Sequence, residues 1–456
     1  MLTQNLVNEK KNDTIDKRLK SLNYKIVVLD DDPTGTQTVK DLPVYTTWSK
    51  EAIEDGFKQS NNMFYILTNS RALNEDETTN LHKEISQNIE SVSKKLNIPY
   101  LIVSRGDSTL RGHFYLEPKV LNDEADQAFD AVFYAPAFFE GNRFTYDGIH
   151  YLKEQDRFIS VSNSEFANDS TFGFSAKTMA DFIEEKSDSE VKSKDVYRIT
   201  LKQIRDRDKE GIFNILSKLN NFDAVVIDAL NDEDMDYFVS CLIEFLDKHQ
   251  KKFIFRTAAS FVKAICETPG KIINLKEFQQ SDNGGIIIVG SHVKKSSDQL
   301  NHLLNNTDIE SLEFDVKILE QPSQLDEYVE SLTQKIEKVI STGKDLVLYT
   351  SRDVVRTNDL NKNLNISTNI SDSLVKIIKG LSIQPGFIIA KGGITSSDVA
   401  TKGLNIKKAE VIGQITKGVP VWLTGKEAKY ESMPYVIFPG NVGNVDTLTE
   451  VYKLNS

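Results

Sequence analysis

The run Asp30-Asp31-Asp32-Pro33-Thr34-Gly35 sets three carboxylates directly behind the apolar stretch Ile26-Val27-Val28-Leu29. Neighbouring like charges repel, and each carboxylate demands water, a cation or a proton. An apolar strand ending in them delivers acid/base, cation-binding or hydroxyl-binding chemistry to one place. Segment 104–114, Ser-Arg-Gly-Asp-Ser-Thr-Leu-Arg-Gly-His-Phe, follows a second apolar run, Tyr100–Val103. Arg105 and Arg111 have the forked guanidinium that grips a carboxylate. Asp107, Ser108 and Thr109 suit sugar-like hydroxyls. Leu67-Thr68-Asn69-Ser70-Arg71 ends a third run with another arginine. The plain alternative is that Asp107 or Ser108 caps a helix while the arginines pair on the surface. Position favours a site, because ligands of parallel α/β sheets sit beyond the strand C-termini. Three such ends outline a pocket for a polyhydroxy acid.

The elements that must position these residues follow from the apolar pattern. Short runs at Lys25–Leu29, Met63–Leu67, Tyr100–Val103, Ala131–Tyr134, Ala224–Ile227 and Phe253–Phe255 alternate with amphipathic stretches. Leu81, Ile85, Ile89, Val92 and Leu96 have helical spacing, and Asn74 with Glu77 forms a potential capping box. After the turn Ser281-Asp282-Asn283-Gly284-Gly285 a second series begins: Ile286–Val289, Asp345–Tyr349, Gly386–Ala390, Val419–Leu423 and Tyr435–Phe438, with a helix at Ser373–Leu381. Such alternation predicts two α/β domains with mostly parallel sheets and an active-site cleft between them. The expected division is a polar extension over 1–24, an N-terminal domain over 25–275 and a C-terminal domain over 284–456. The weakly patterned 156–195 is expected to be a surface insertion or irregular cover. Ala135–Arg143, rich in Pro and Gly, is either a lid or pocket wall, or a plain loop.

The second series carries Gly-rich strand ends: Gly290-Ser291, then Lys391-Gly392-Gly393-Ile394-Thr395-Ser396-Ser397, then Pro439-Gly440-Asn441-Val442-Gly443. Glycines expose backbone N–H groups and admit phosphate closely. One such loop is ordinary turn geometry; three with adjacent hydroxyls point to nucleotide phosphates. Neither GxxxxGK[ST] nor a strand-linked GxGxxG is present, which sets aside P-loop and dinucleotide folds.

The 456 residues carry a formal net charge of −12, which argues against nucleic acid or an anionic membrane as partner. Two cysteines exclude a disulfide framework, and six scattered histidines show no zinc spacing. With no signal-like segment and no run of about 20 apolar residues, a cytoplasmic location is expected. Any self-association expected is a homodimer.

Asp30-Asp31-Asp32-Pro33-Thr34 also spells the DxDxT nucleophile motif of haloacid-dehalogenase-type phosphohydrolases, with Asp30 as the attacking group. That alternative leaves segment 104–114 and the Gly-rich loops without a use. A non-catalytic sugar-acid sensor is a third possibility, and it needs no nucleotide domain.

Taken together, Asp31-Asp32-Pro33-Thr34-Gly35-Thr36, segment 104–114, Ala135–Arg143, Gly290-Ser291, Ala390–Asp398 and Pro439–Gly443 resemble the four-carbon acid sugar kinase family, in order and spacing, over about residues 25–450. The resemblance implies an N-terminal domain for an acid such as threonate, erythronate or a 3-oxo-tetronate, and a C-terminal domain for ATP. A terminal hydroxyl of the acid would be phosphorylated, with Mg²⁺ bridging the phosphates. It implies substrate roles for Asp31, Asp32, Arg71, Arg105, Asp107, Ser108 and Arg111. Ser291, Gly392, Gly393, Thr395, Gly440, Asn441 and Gly443 fall on the nucleotide side. Asp32 is the expected base, with Asp31 or Asp107 as alternates; metal ligands are not assignable.

Overall fold

The computed structural model describes residues 24–154, 157–266, 268, 270–290, 294–351, 360–440 and 442–455, with the side chains of 360–367 and 455 not described. Ser291 and Asn441, and nearly all of the expected 1–24 extension, lie outside them. The chain forms two compact units, the first ending at Pro269 and the second beginning at Gly270.

The first unit contains strands β1 (Lys25–Asp30), β2 (Leu42–Tyr45), β3 (Met63–Leu67), β4 (Tyr100–Arg105), β5 (Ala131–Ala135), β6 (Arg143–Tyr146), β7 (Ile149–Glu154), β8 (Arg157–Ser160), β9 (Tyr197–Ile199), β10 (Asp223–Ile227) and β11 (Phe253–Thr257). Eight of them form a parallel sheet in the order β2-β3-β1-β4-β11-β5-β10-β9. The central strands are buried throughout their length, as expected of parallel strands covered on both faces, and read as unbroken apolar runs. Register aligns their C-terminal ends: Asp30 lies opposite Leu67 of β3 and Arg105 of β4, and Arg105 opposite Thr257 of β11.

Helix Glu75–Leu96 supplies the clearest local logic. Asn74 Oδ1 accepts from Glu77 N at 2.9 Å, and Glu77 Oε2 accepts from Asn74 N at 3.0 Å, closing the expected capping box. Acids fill the first turn and Lys94 and Lys95 the last, matching the helix dipole. Leu81, Ile85, Ile89 and Val92 then bury one face in the same core as β1 and β3.

Within 156–195, expected to be a surface insertion or irregular cover, β8 and a buried helix are regular structure. β6, β7 and β8 make a separate antiparallel sheet. The helix Met179–Lys186 that follows buries Met179, Phe182 and Ile183. Phe182 stands edge-on to Phe114, 4.8 Å between ring centroids, so the segment is part of the core. Its polar composition hides this because few apolar residues make the contacts.

The second unit contains β12 (Ile286–Val289), β13 (Glu310–Phe314), β14 (Leu346–Thr350), β15 (Ile388–Lys391), β16 (Lys408–Thr416), β17 (Val419–Thr424) and β18 (Pro434–Phe438), in the order β13-β14-β12-β15-β18-β17-β16. Pairing is parallel up to β18 and antiparallel through β17 and β16. Ile273 N donates to Gln414 O at 2.8 Å, which ties the residues after Gly270 to β16. Among the described residues no helix is long and apolar enough to cross a membrane.

Removing the cap by Asn74→Ala is expected to cost about 0.5–2 kcal/mol. Denaturant unfolding of the variant beside wild type checks this; an unchanged midpoint would show that packing alone fixes the helix start.

Candidate functional site

Two charged layers meet at the C-terminal ends of β1, β3, β4 and β11. The deeper one begins at Asp30, the last residue of β1. Its carboxyl is 1 % exposed and paired with Arg105 at 3.3 Å. A Cβ on residue 35 would fall 1.9 Å from Asp30 Oδ2, so the chain can turn here only through Gly35. Burial pushes the Asp30 carboxyl up to about 8, against the opposing pull of Arg105. A phospho-aspartyl nucleophile must be ionised and reachable, and Asp30 is neither at neutral pH. The dehalogenase-type alternative therefore gains nothing from the geometry.

Asp31 is fully buried, gripped by Arg71 through Nε at 3.2 Å and Nη2, with Arg256 Nη2 at 3.8 Å on its other side. Burial raises its pKa while Arg71 and Arg256 pull it down; the net direction is upward. Gly112, at φ +102°, would place a Cβ 2.9 Å from Asp31 Oδ2, so the second glycine of segment 104–114 exists to let Asp31 in. Arg256 is anchored from below by Glu117 and by Ser104 Oγ at 2.7 Å. Glu117 in turn accepts from Ser70 Oγ and Ser104 Oγ, each at 2.8 Å. Burial opposes its ionisation, but Arg256 outweighs it and holds the carboxyl below its usual range.

The outer layer is partly open. Asp32 Oδ1 caps the short 3₁₀ turn Pro33–Thr36 by accepting from Thr34 N at 2.8 Å. Its Oδ2 receives Arg71 Nη1 at 3.3 Å, and its side chain keeps 18 % of its surface exposed. Burial would raise its pKa; Arg71 and the Thr34 contacts outweigh that and keep it ionised. Asp107 accepts from Thr109 Oγ1 and from Arg111 Nε at 2.8 Å, and Arg71 and Arg111 hold it well below the usual carboxylate range despite burial. Arg111 lies 5.0 Å from the Phe166 ring centroid and uses only Nε in its hydrogen bonds among the described residues. Arg143 feels the charges of Asp107 and Arg111, and burial lowers its pKa.

The structure thus gathers Asp31, Asp32, Arg71, Asp107 and Arg111, and adds Arg143. Arg105 stands apart from them, turned inward onto Asp30. Ser108 joins through its backbone carbonyl, which accepts from His150 Nε2 at 2.8 Å, while Thr145 Oγ1 bonds His150 Nδ1 at 2.9 Å. Arg256 and Glu117 are additions that sequence reasoning missed. Arg256 breaks the apolar run Phe253–Phe255 one residue before its strand ends, which was a usable signal; nothing marked Glu117. Among the described residues no group of three or more His, Cys, Asp or Glu side chains is arranged to hold a metal ion.

In the second unit, Gly392 takes φ +112° and its N–H bonds Phe438 O at 2.9 Å, fastening the ends of β15 and β18 together. The helix Gly393–Asp398 starts there and continues as a π turn, Val399–Gly403. Thr395 is buried against Gly290, where a Cβ would stand 2.5 Å from Thr395 Oγ1. Gly440 O lies 3.5 Å from Ser296 Oγ, and Gly443 takes φ +81° beside Thr447.

Residues 26–265 match the family described as a sugar-binding N-terminal domain, and residues 286–448 the family described as a nucleotide-binding C-terminal domain. The protein is thus of the class that pairs a sugar-binding half with a nucleotide-binding half. It belongs to the four-carbon acid sugar kinase family. No curated protein matches the chain. A Haemophilus influenzae protein of the DUF1537 family shares the fold at TM-score 0.65 and 16% identity, over 94% of this chain and 99% of its own. A Salmonella typhimurium LT2 protein, provisionally described as a tRNA synthase, does so at TM-score 0.68 and 14% identity, over 95% and 100%.

A carboxyl whose folded pKa lies above its unfolded one contributes most stability below the unfolded value, about pH 4. It loses that contribution as pH rises towards the folded value, here about 8. Asp30→Asn fixes the neutral form. The stability difference between variant and wild type is expected to move in the variant's favour from about pH 4.5 to about pH 8. Denaturant titrations at both pH values measure it; a variant that loses ground at the higher pH would mean that Asp30 is ionised against Arg105.

Proposed function

We propose that the protein is an ATP-dependent kinase that phosphorylates a terminal hydroxyl of a four-carbon sugar acid of the threonate, erythronate or 3-oxo-tetronate type. The observation that carries this is the open layer of Asp32, Asp107, Arg71 and Arg111 at adjoining strand ends of the sugar-binding domain. It offers cations for a carboxylate and carboxylates for hydroxyls, in a chain whose other half is a nucleotide-binding domain.

The acid's carboxylate is proposed to fork onto the Nη groups of Arg111, with Arg143 beside it. Arg71 is committed to Asp31 and Asp32. Its role is to hold both side chains in place and to keep Asp32 ionised. Asp32 is the preferred acceptor for the hydroxyl proton. Of the three candidates it combines ionisation with exposure, whereas Asp31 is fully buried between two arginines and Asp107 is bonded by Arg111. A carboxylate so strongly stabilised is a weak base. It suffices, because phosphoryl transfer asks the protein chiefly to position the nucleophile and neutralise charge. Phosphates would lie on the Gly392–Thr395 and Gly440–Gly443 segments, the latter through residues 440 and 443. Mg²⁺ is taken to arrive bridging the phosphates, as part of the Mg·ATP substrate.

The test is a panel of four-carbon sugar acids with Mg·ATP, read as ADP release, beside the phosphorylated acids without ATP. Acid-dependent ADP release supports the proposal; phosphate release from the phosphorylated acids alone overturns it. With an active acid in hand, Asp32→Asn is expected to lower kcat by about 10²–10⁴ with little change in KM. Arg111→Ala is expected chiefly to raise KM for the acid by about 10–150-fold, the equivalent of one charged hydrogen bond. Near-normal kcat in Asp32→Asn would remove Asp32 as the base.

A further inference from the structure

Lys391 is the last residue of β15 and is fully buried. Its Nζ donates to Pro439 O at 3.2 Å and stands 4.1 Å from the Phe438 ring centroid. A carbonyl and an aromatic face are poor compensation for a dehydrated ammonium. Among the described residues no carboxylate pairs with it. The surrounding elements explain why. Helix Lys294–Asn306 carries Lys294, paired with Asp298 at 2.7 Å, and Lys295, whose like charge opposes that of Lys391. Asp398, on the helix after Gly392, is taken by Lys402 at 2.9 Å and by Ser371. Tyr435 of β18 gives its hydroxyl proton to Ser396 O at 2.6 Å, and β12 has no ionisable side chain. Burial accordingly pushes the amine down to about 7.

The position is specific. Lys391 precedes Gly392-Gly393 and reaches the carbonyl that precedes Gly440, so its amine lies where two of the Gly-rich strand ends come together. A loop tie would need no charge; an amide or a thioether could fill the same space. An amine with no anion among the described residues, between two segments proposed to lie under phosphates, is short of the group those segments would bring. We propose that Lys391 is a phosphate-contacting residue of the nucleotide site, its ammonium the counter-charge for the phosphoryl groups of the bound nucleotide. This rests on the second unit taking ATP. Lysine acts on phosphate as a compact point charge and needs no fixed fork geometry, which suits a side chain that among the described residues makes one hydrogen bond. Phosphate binding would also restore the full charge, so a proton is taken up as the nucleotide binds.

Calorimetry of full-length protein with Mg·ATP and with adenosine, at about pH 7.5 in two buffers of different ionisation enthalpy, tests this. Wild type is expected to bind Mg·ATP with proton uptake. Lys391→Met is expected to abolish the uptake and weaken Mg·ATP by about 10–150-fold, leave adenosine binding unchanged, and melt at or above the wild-type temperature. Lys391→Arg, which keeps a charge, should retain more affinity for Mg·ATP than the Met variant. Equal loss of Mg·ATP and adenosine with a lowered melting temperature would assign Lys391 a structural role and overturn the inference. So would unchanged Mg·ATP affinity in the Met variant. Adenosine and Mg·ATP both failing to bind wild type would overturn the nucleotide assignment itself.

Discussion

The first unit is organised around acidic side chains taken out of water. Three consecutive carboxylates end a strand whose other residues are buried, and water reaches only the third. Each lies against a guanidinium, and the guanidinia come from different strand ends: Arg105 of β4 beside Asp30, Arg256 of β11 and Arg71 beyond β3 beside Asp31, Arg71 again beside Asp32. Parallel pairing in a single register makes this possible, because it brings those four ends level. Breaking a buried pair by removing one partner typically costs about 3–5 kcal/mol. The sheet order and the site are therefore one constraint seen from two sides.

Much of this was legible in the residue order, for physical reasons. Charges that interrupt apolar runs stand out, so Asp30–Asp32, Arg71 and segment 104–114 could be picked out and assigned to strand ends. Helix Glu75–Leu96 announced itself through its capping residues and spacing, both local. What stayed hidden depends on distant contacts. Glu117 lies in the eight-residue helix Leu116–Asp123, where an acid in the first turn looks like solvated surface. Only the fold shows Ser70, Ser104 and Arg256 converging on it. The inward turn of Arg105 was equally unreadable, since a buried and an exposed arginine at a strand end have the same neighbours in sequence. Gly35 looked like a turn residue and proves to be a clearance for the Asp30 carboxyl.

The strands show the same division. Fully buried β1, β3, β12 and β15 were visible as apolar runs. β13, which pairs only with β14 among the described residues, alternates exposed acids with Leu312 and Phe314 and carries no such run. β16 alternates as well, because its antiparallel partner lets one face stay polar. In the second unit the Gly-rich ends of β15 and β18 were recognisable from composition. Their fastening through Gly392 N–H and Phe438 O was not, since it joins residues 46 apart in the numbering.

The Glu117 anchor bears on how this chain can change over evolutionary time. One carboxylate gathers hydroxyls from the β3 and β4 ends and a guanidinium from β11, so none of the four can be exchanged alone without stranding a buried charge or donor. Arg111, Arg143 and Asp32 reach solvent and carry no such debt. Drift in ligand preference would thus be written in the outer layer, one residue at a time, over an inner quartet that can be replaced only as a set.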